Sequence, residues 1–186
     1  MTNYEIGIDE VGRGPLAGPV VVAAVALPTN FQLEGPCKLA DSKKLTENQR
    51  ELWSRYIISQ IPFSIARVYP ITIDRINISQ AANLAATRAL KRLNLSGKIL
   101  LDAGLKINTN QPYQSIIKGD EKYDAIALAS IIAKVHRDNI MIKNHHLYNR
   151  YGFNRHKGYG TQFHLAALKK FGPCPLHRRS FLINLT

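Results

Sequence analysis

Residues Ile8–Leu27 read IDEVGRGPLAGPVVVAAVAL. Two acids stand side by side, an arginine follows between two glycines, and a long apolar run closes the stretch. Tyr4–Asp9 is predicted as a strand. Pro19–Leu27 is predicted as a second strand, so continuously apolar that both of its faces must be covered. The segment between them is a glycine-bearing turn. Neighbours on a strand point to opposite faces, so Asp9 and Glu10 can share a site only if the strand bends or ends there. Gly12 and Gly14, free of a β-carbon, permit such a bend.

Helix and strand signals alternate beyond this hairpin. LTENQRELWSRYI starts a helix, with Thr46 and Gln49 spaced as a capping box. FSIARVY returns as a strand, and SQAANLAATRALKRL is a helix with an alanine-rich apolar face. KILLDAG is a short strand stopping at Asp102, and QSIIKGD is another stopping near Asp120. DAIALASIIAKVHRDNIMIKN forms a long helix, apolar nearly all round in its first half and therefore central. YGFNRHKGYG reads as a loop. TQFHLAALKKFGP is a last helix, capped by Thr161 and stopped by Gly172. This alternation predicts an α/β fold, a mixed sheet flanked by helices on both sides, with a small C-terminal helical part. The expected organisation is one domain over residues 1–186, of which about 137–186 form a basic substrate-binding part.

The 186 residues carry 25 Lys and Arg against 13 Asp and Glu, a net charge of +12. A surplus of that size in a small domain points to a polyanion such as nucleic acid. From Arg137 onward there are nine Lys or Arg and a single acid, Asp138. Tyr148, Tyr151, Phe153 and Tyr159 are interspersed among them. Either the rings stack on bases and the cations meet phosphates, or the rings pack in a core and the cations form a solvated face. Two distant cysteines, Cys37 and Cys174, predict a reducing compartment without a disulfide framework. The opening residues lack a secretory pattern, and the run Val20–Leu27 is far too short to span a bilayer. A cytoplasmic protein with no membrane association is expected, a monomer by default. None of the six histidines has a metal-type spacing, and Trp53 is assigned to the core.

Asp9, Asp102 and Asp120 each fall where an apolar strand gives way to a glycine-bearing turn. Gathered together with Glu10, such carboxylates would repel one another and raise their own pKa values unless protonation, arginine partners or divalent cations cancelled the charge. All-oxygen ligation selects Mg2+ or Mn2+. A two-metal site of that kind, with ions roughly 3.5–4 Å apart, clamps the attacking and leaving oxygens of a phosphodiester. Alternatively each acid is solvated separately, and Asp120 caps a helix. In the same way the Gly12–Arg13–Gly14 turn is either an ordinary turn or bare backbone able to approach a ribose 2′-hydroxyl, with Arg13 on a phosphate.

The ordered blocks GIDEVGRGPLAGPVV, ADSKKLT, LLDAG, IIKGDEK, ASIIAKVHRD, HKGYGT and GPCPLHRRSF resemble the bacterial ribonuclease HII family over most of the chain. The resemblance implies a ribonuclease H-like fold and a metal-dependent endonuclease acting on RNA–DNA hybrids and on single ribonucleotides embedded in duplex DNA. Cleavage would fall 5′ of the ribonucleotide, leaving 3′-hydroxyl and 5′-phosphate ends, in ribonucleotide removal during replication and repair. It implies Asp9, Glu10, Asp102 and Asp120 as the catalytic carboxylates, the first three as metal ligands. It also implies Gly12, Arg13 and Gly14 as the sensor of the 2′-hydroxyl, Tyr159 at the ribo-to-deoxy junction, and Lys43 on phosphate. Tyr123 and Asp124 depart from the family pattern, and the extra acid is read as a helix cap. No residue pattern supports a docking replication clamp. The rival readings are a two-metal nuclease that cuts all-deoxy DNA, and a non-catalytic nucleic-acid binder.

Overall fold

The computed structural model describes residues 3–183. Five strands form one sheet: β1 (Tyr4–Val11), β2 (Val20–Pro28), β3 (Phe63–Val68), β4 (Lys98–Asp102) and β5 (Tyr113–Ile116). Their order is β3-β2-β1-β4-β5. β1 pairs antiparallel with β2, and β2 with β3, whereas β4 runs parallel to both β1 and β5. The mixed sheet is the one the sequence predicts.

Alternation along the central strands assigns the two faces. Ile6, Ile8, Val20, Val22, Ile99 and Leu101 meet the alanine face of α3 (Ile78–Leu93). Val21, Ala23 and Val25 meet α1 (Glu47–Gln60) and α4 (Asp124–His145) on the opposite side. Small residues set the spacing on both sides. A β-carbon on Gly7 would collide with the backbone of Ala125, so α4 lies directly against β1. From that contact, five helical residues advance about 7.5 Å to Ser130, and two strand residues advance about 6.6 Å to Asp9. The close approach therefore brings the Ser130 hydroxyl level with the Asp9 carboxylate.

Local signals hold at several element ends. Thr46 and Gln49 form the predicted reciprocal cap of α1. Thr161 caps α6 (Gln162–Phe171), which ends at Gly172 with φ 69°. Trp53 is buried against Ile57 on the α1 side. Other expectations are corrected. β1 continues two residues past Asp9. The segment before α3 contains a separate helix, α2 (Pro70–Ile76), with Pro70 in its first turn. β5 stops at Ile116, well short of Asp120, because its last partner, Asp102, is the end of β4. The chain then turns through Lys118 at φ 54° into a 3-10 turn, Gly119–Glu121. The expected loop at YGFNRHKGYG contains a 3-10 turn at Asn149–Tyr151 and a short helix, α5 (Phe153–His156). Left-handed residues at Gly152 and Lys157 bound that helix. The last described helix is α7 (Arg179–Leu182).

A third core sits under the C-terminal segment, where Tyr151, Phe153, Ala167 and Leu176 meet Ala17 and Met141. This core resolves part of the question about the aromatic residues. Tyr151 and Phe153 pack inside, whereas Tyr159, Phe163 and Phe171 are exposed.

Candidate active site

The parallel ladder between β1 and β4 ends at Ile8–Leu101. Past that point the flank of β1 is open on the side where β4 gives out at Asp102. Asp9 pairs with Ala23 and so belongs to the α4 face. Glu10 pairs with Val22 and belongs to the α3 face. Both side chains nevertheless reach the opening. One carboxylate oxygen from each of Asp9, Glu10 and Asp102 lies within 4.8 Å of the other two. An open flank, rather than a strand that stops, resolves the geometric problem posed by adjacent acids.

The surroundings of these acids differ. Asp9 is 6% exposed, and its Oδ1 accepts the Glu10 backbone N–H at 2.7 Å. Burial pushes its pKa well up, and the Glu10 charge adds to the rise. The Ser130 hydroxyl acts in the opposite direction. Ser130 is itself bonded to the Ser42 hydroxyl at 2.9 Å. Glu10 is also raised by burial, against the pull of Arg13, whose Nη1 donates to Glu10 Oε1 at 3.2 Å. The other Glu10 oxygen, Oε2, is buried without a hydrogen-bond partner. Asp102 Oδ1 accepts the Gly119 N–H at 2.8 Å, which ties the 3-10 turn to the end of β4. Asp120 lies outside the close trio. Its carboxyl is raised by partial burial and then by Asp41 and Asp102, with Lys43 opposing.

The remaining predicted residues surround this opening. Arg13 bonds Glu10, the Gly104 carbonyl at 3.3 Å and the Ser79 hydroxyl at 3.2 Å, so its side chain folds over the acids. Gly12 has φ 90° and lies against the Arg137 side chain. Gly14 is exposed, and a β-carbon there would meet nothing within 4 Å. Lys43 is exposed, and its backbone N–H donates to Asp41 at 3.0 Å. Tyr159 is 44% exposed, with the Arg137 guanidinium 6.0 Å from its ring centre.

Sequence reasoning overlooked several participants. Ser42 and Ser130 were hidden because an isolated serine has no signature of its own. Asp41 lies two residues before Lys43 and could have been found from that spacing. Two of the nine C-terminal cations are also misread as a phosphate-facing surface. Arg137 and Arg178 are fully buried and spend their donors on backbone carbonyls.

Three hard oxygen ligands, one buried and two half-buried, the raised carboxyls of Asp9 and Glu10, and an unpartnered Glu10 oxygen fit a divalent cation of the magnesium or manganese type. Such a cluster at the open flank of adjacent parallel strands, in a sheet of this order, defines a metal-dependent nuclease of the ribonuclease H-like fold. Comparison with known proteins narrows this class. The family model "Ribonuclease HII" matches residues 6–184. A ribonuclease HII of Pelodictyon phaeoclathratiforme is 46% identical, covering 98% of this chain and 91% of that protein. One of Ruminiclostridium cellulolyticum is 48% identical, covering 98% of this chain and 71% of that protein. The crystal structure of a ribonuclease H2 from Pyrococcus horikoshii superposes with a TM-score of 0.79 at 28% identity, covering 95% of this chain and 93% of that one. The chain belongs to the ribonuclease HII family, and it is a type 2 ribonuclease H endonuclease.

Proposed function

We propose that this endonuclease cleaves RNA in RNA–DNA hybrids and cuts 5′ of single ribonucleotides embedded in duplex DNA, leaving 3′-hydroxyl and 5′-phosphate ends. Its role is the removal of ribonucleotides during DNA replication and repair. The observation that carries this reading is the meeting of Asp9, Glu10 and Asp102 oxygens within 4.8 Å. Asp9, Glu10 and Asp102 would hold Mg2+ or Mn2+ in a two-metal site, with Asp120 assisting. When bound, the ions would supply a nucleophilic hydroxide and offset charge on the phosphate and the departing 3′-oxygen.

The chain's own groups handle binding and selection. Gly14 leaves open space where a side chain would otherwise stand, so a sugar can approach the backbone. The Gly12–Gly14 turn reads the 2′-hydroxyl, and Tyr159 offers an exposed ring at the ribo-to-deoxy junction. Lys43 and Arg13 hold phosphates, Arg13 exchanging part of its present bonding for the substrate. The protein acts as a cytoplasmic monomer.

The test is to incubate the protein with a duplex bearing one ribonucleotide, and with its all-deoxy counterpart, with and without Mg2+, and to map the break. A metal-dependent cut 5′ of the ribonucleotide, absent from the all-deoxy duplex, is expected. Equal cutting of both duplexes would mark a general two-metal nuclease.

A further inference from the structure

The turn proposed to read the ribose is not held by its own hairpin. Arg178, 165 residues further along the chain, donates from Nη1 to the Arg13 carbonyl at 2.9 Å. Its Nη2 donates to the Gly12 carbonyl at 2.6 Å, and its Nε to the Gly18 carbonyl at 3.0 Å. The guanidinium is fully buried. Burial, and then the Arg137 cation, lower its pKa to about 9, so it remains charged at neutral pH. Its own position is fixed from several sides. The Arg178 N–H donates to the Leu16 carbonyl at 2.9 Å, and Gly18 N–H donates to Leu176. The Phe181 ring centre lies 5.1 Å from the guanidinium carbon. Just beyond, Asp74 of α2 accepts the N–H groups of Arg179 and Ser180, both at 3.0 Å.

Peptide planarity turns these contacts into a statement about the turn. In a trans peptide the carbonyl and the following N–H point in opposite directions, and the described residues contain no cis bond. With the carbonyls of Gly12 and Arg13 directed inward to Arg178, the N–H groups of Arg13 and Gly14 are directed outward. Neither N–H finds a protein acceptor among the described residues. We propose that Arg178 is a positioning residue for ribose selection: it fixes the Gly12–Gly14 turn so that two unpaired N–H donors face the substrate. Arg137 serves the neighbouring stretch instead, bonding the carbonyls of Ala17, Pro19 and Lys157.

This inference rests on the reading of the turn given above, and the experiment separates the two. kcat and KM on a duplex bearing one ribonucleotide are measured for Gly14→Ala, Arg178→Lys, Arg178→Met and the double variant Arg178→Lys/Gly14→Ala, each checked by thermal melting. Gly14→Ala places its methyl in open space, so the fold should be unaffected while kcat falls about tenfold or more. Each Arg178 variant should lower kcat by about tenfold with KM for the duplex within about twofold, because phosphate contacts elsewhere hold the duplex. The double variant should fall no more than about twofold below Gly14→Ala, since both changes act on one turn. Folded Gly14→Ala with wild-type turnover would overturn the reading of the turn itself. Impaired Gly14→Ala beside unimpaired or multiplicatively additive Arg178 variants would overturn the positioning role alone. If Arg178→Met fails to fold, Arg178→Lys carries the comparison. If neither folds, the residue serves the fold only, and the proposal is lost.

Discussion

Two buried charged regions meet at the β1–β2 turn, and they are built on opposite terms. On one side, Asp9 is a buried acid beside the half-buried Glu10, their charges repel, and the buried Glu10 Oε2 has no partner. On the other, Arg137 and Arg178 are buried cations that make three carbonyl bonds each. Arg13 pairs with only one Glu10 oxygen, at 3.2 Å, whereas no carboxylate pairs with Arg137 or Arg178 among the described residues. The contrast lies in satisfaction: a buried charge with its donors used belongs to the scaffold, whereas a buried charge left unmet marks where a ligand is needed.

The largest expected effect comes from removing the unmet charge. Asp9→Asn should lower turnover by about 1000-fold, roughly 4 kcal/mol of transition-state stabilisation, measured as single-turnover cleavage in Mg2+. The same variant should melt about 3 °C higher than the parent in EDTA. The sign follows from linkage. A carboxyl raised by folding binds its proton more tightly in the folded chain, so without metal stability falls as pH climbs through that raised value and returns on acidification. Lower stability of the variant in EDTA would show that the site is satisfied without metal. Removing a met charge should reverse the outcome. Arg137→Met leaves three carbonyls without their donor and should cost about 3 kcal/mol in urea unfolding, with or without metal.

The satisfied region was the harder one to read from sequence. Apolar runs at Val20–Leu27 and Lys98–Leu101 revealed the strands, and glycine turns after Asp9 and Asp102 revealed where the acids fall. These are local signals. The bonds from Arg137 and Arg178 span between 20 and 166 positions and carry no periodicity, so both residues looked like surface cations. The apolar pair Ile116–Ile117 ahead of Lys118–Gly119 predicts a strand ending near Asp120. The strand stops earlier because its length is set by its partner β4, a constraint that lies outside the segment itself. Glycine flexibility predicts that Asp9 and Glu10 converge, but the convergence arises from the open flank left where β4 ends its pairing.

A smaller, slower loss should separate the two regions by pH. His164 Nδ1 bonds the Tyr159 carbonyl at 2.9 Å, and a carbonyl only accepts, so this nitrogen carries the proton. His164 Nε2 must then accept from His177 Nε2, 2.9 Å away, leaving His177 Nδ1 to accept the Cys174 N–H at 2.9 Å. One neutral tautomer on each ring satisfies the whole chain of bonds, and an added proton would set two N–H groups against each other. Burial lowers both rings from 6.5 to about 4, for His177 with the His164 charge as the next cause. Folding therefore disfavours the protonated rings. The stability they allow is fully present above about pH 6.5 and is lost as pH falls toward 4. Melting in EDTA from pH 7 to 4.5 should show relief at the acids opposed by loss at the histidines. Asp9→Asn should remove the Asp9 part of the relief and tilt the profile toward loss on acidification, Glu10 and Asp120 keeping the rest; no tilt relative to the parent would mean that Asp9 contributes no such relief.

The smallest effect probes the boundary between met and unmet charge. The Ser130 hydroxyl favours ionised Asp9 against burial and its acidic neighbours. Ser130→Ala removes that contact without touching Glu10, Asp102 or the Ser130 backbone in α4. The Asp9 carboxyl should then be pushed further up, so that cations must compete harder with the proton. The expected outcome is a rise of about threefold in the Mg2+ concentration giving half-maximal cleavage, with maximal turnover nearly unchanged. The rise should shrink as the assay pH is raised, because protonation is its cause. A threefold rise that is constant with pH would instead mean that Ser130 only positions the carboxylate, and Ser42→Ala, which leaves the Ser130 hydroxyl free to turn toward Asp9, would then have the opposite effect on metal demand.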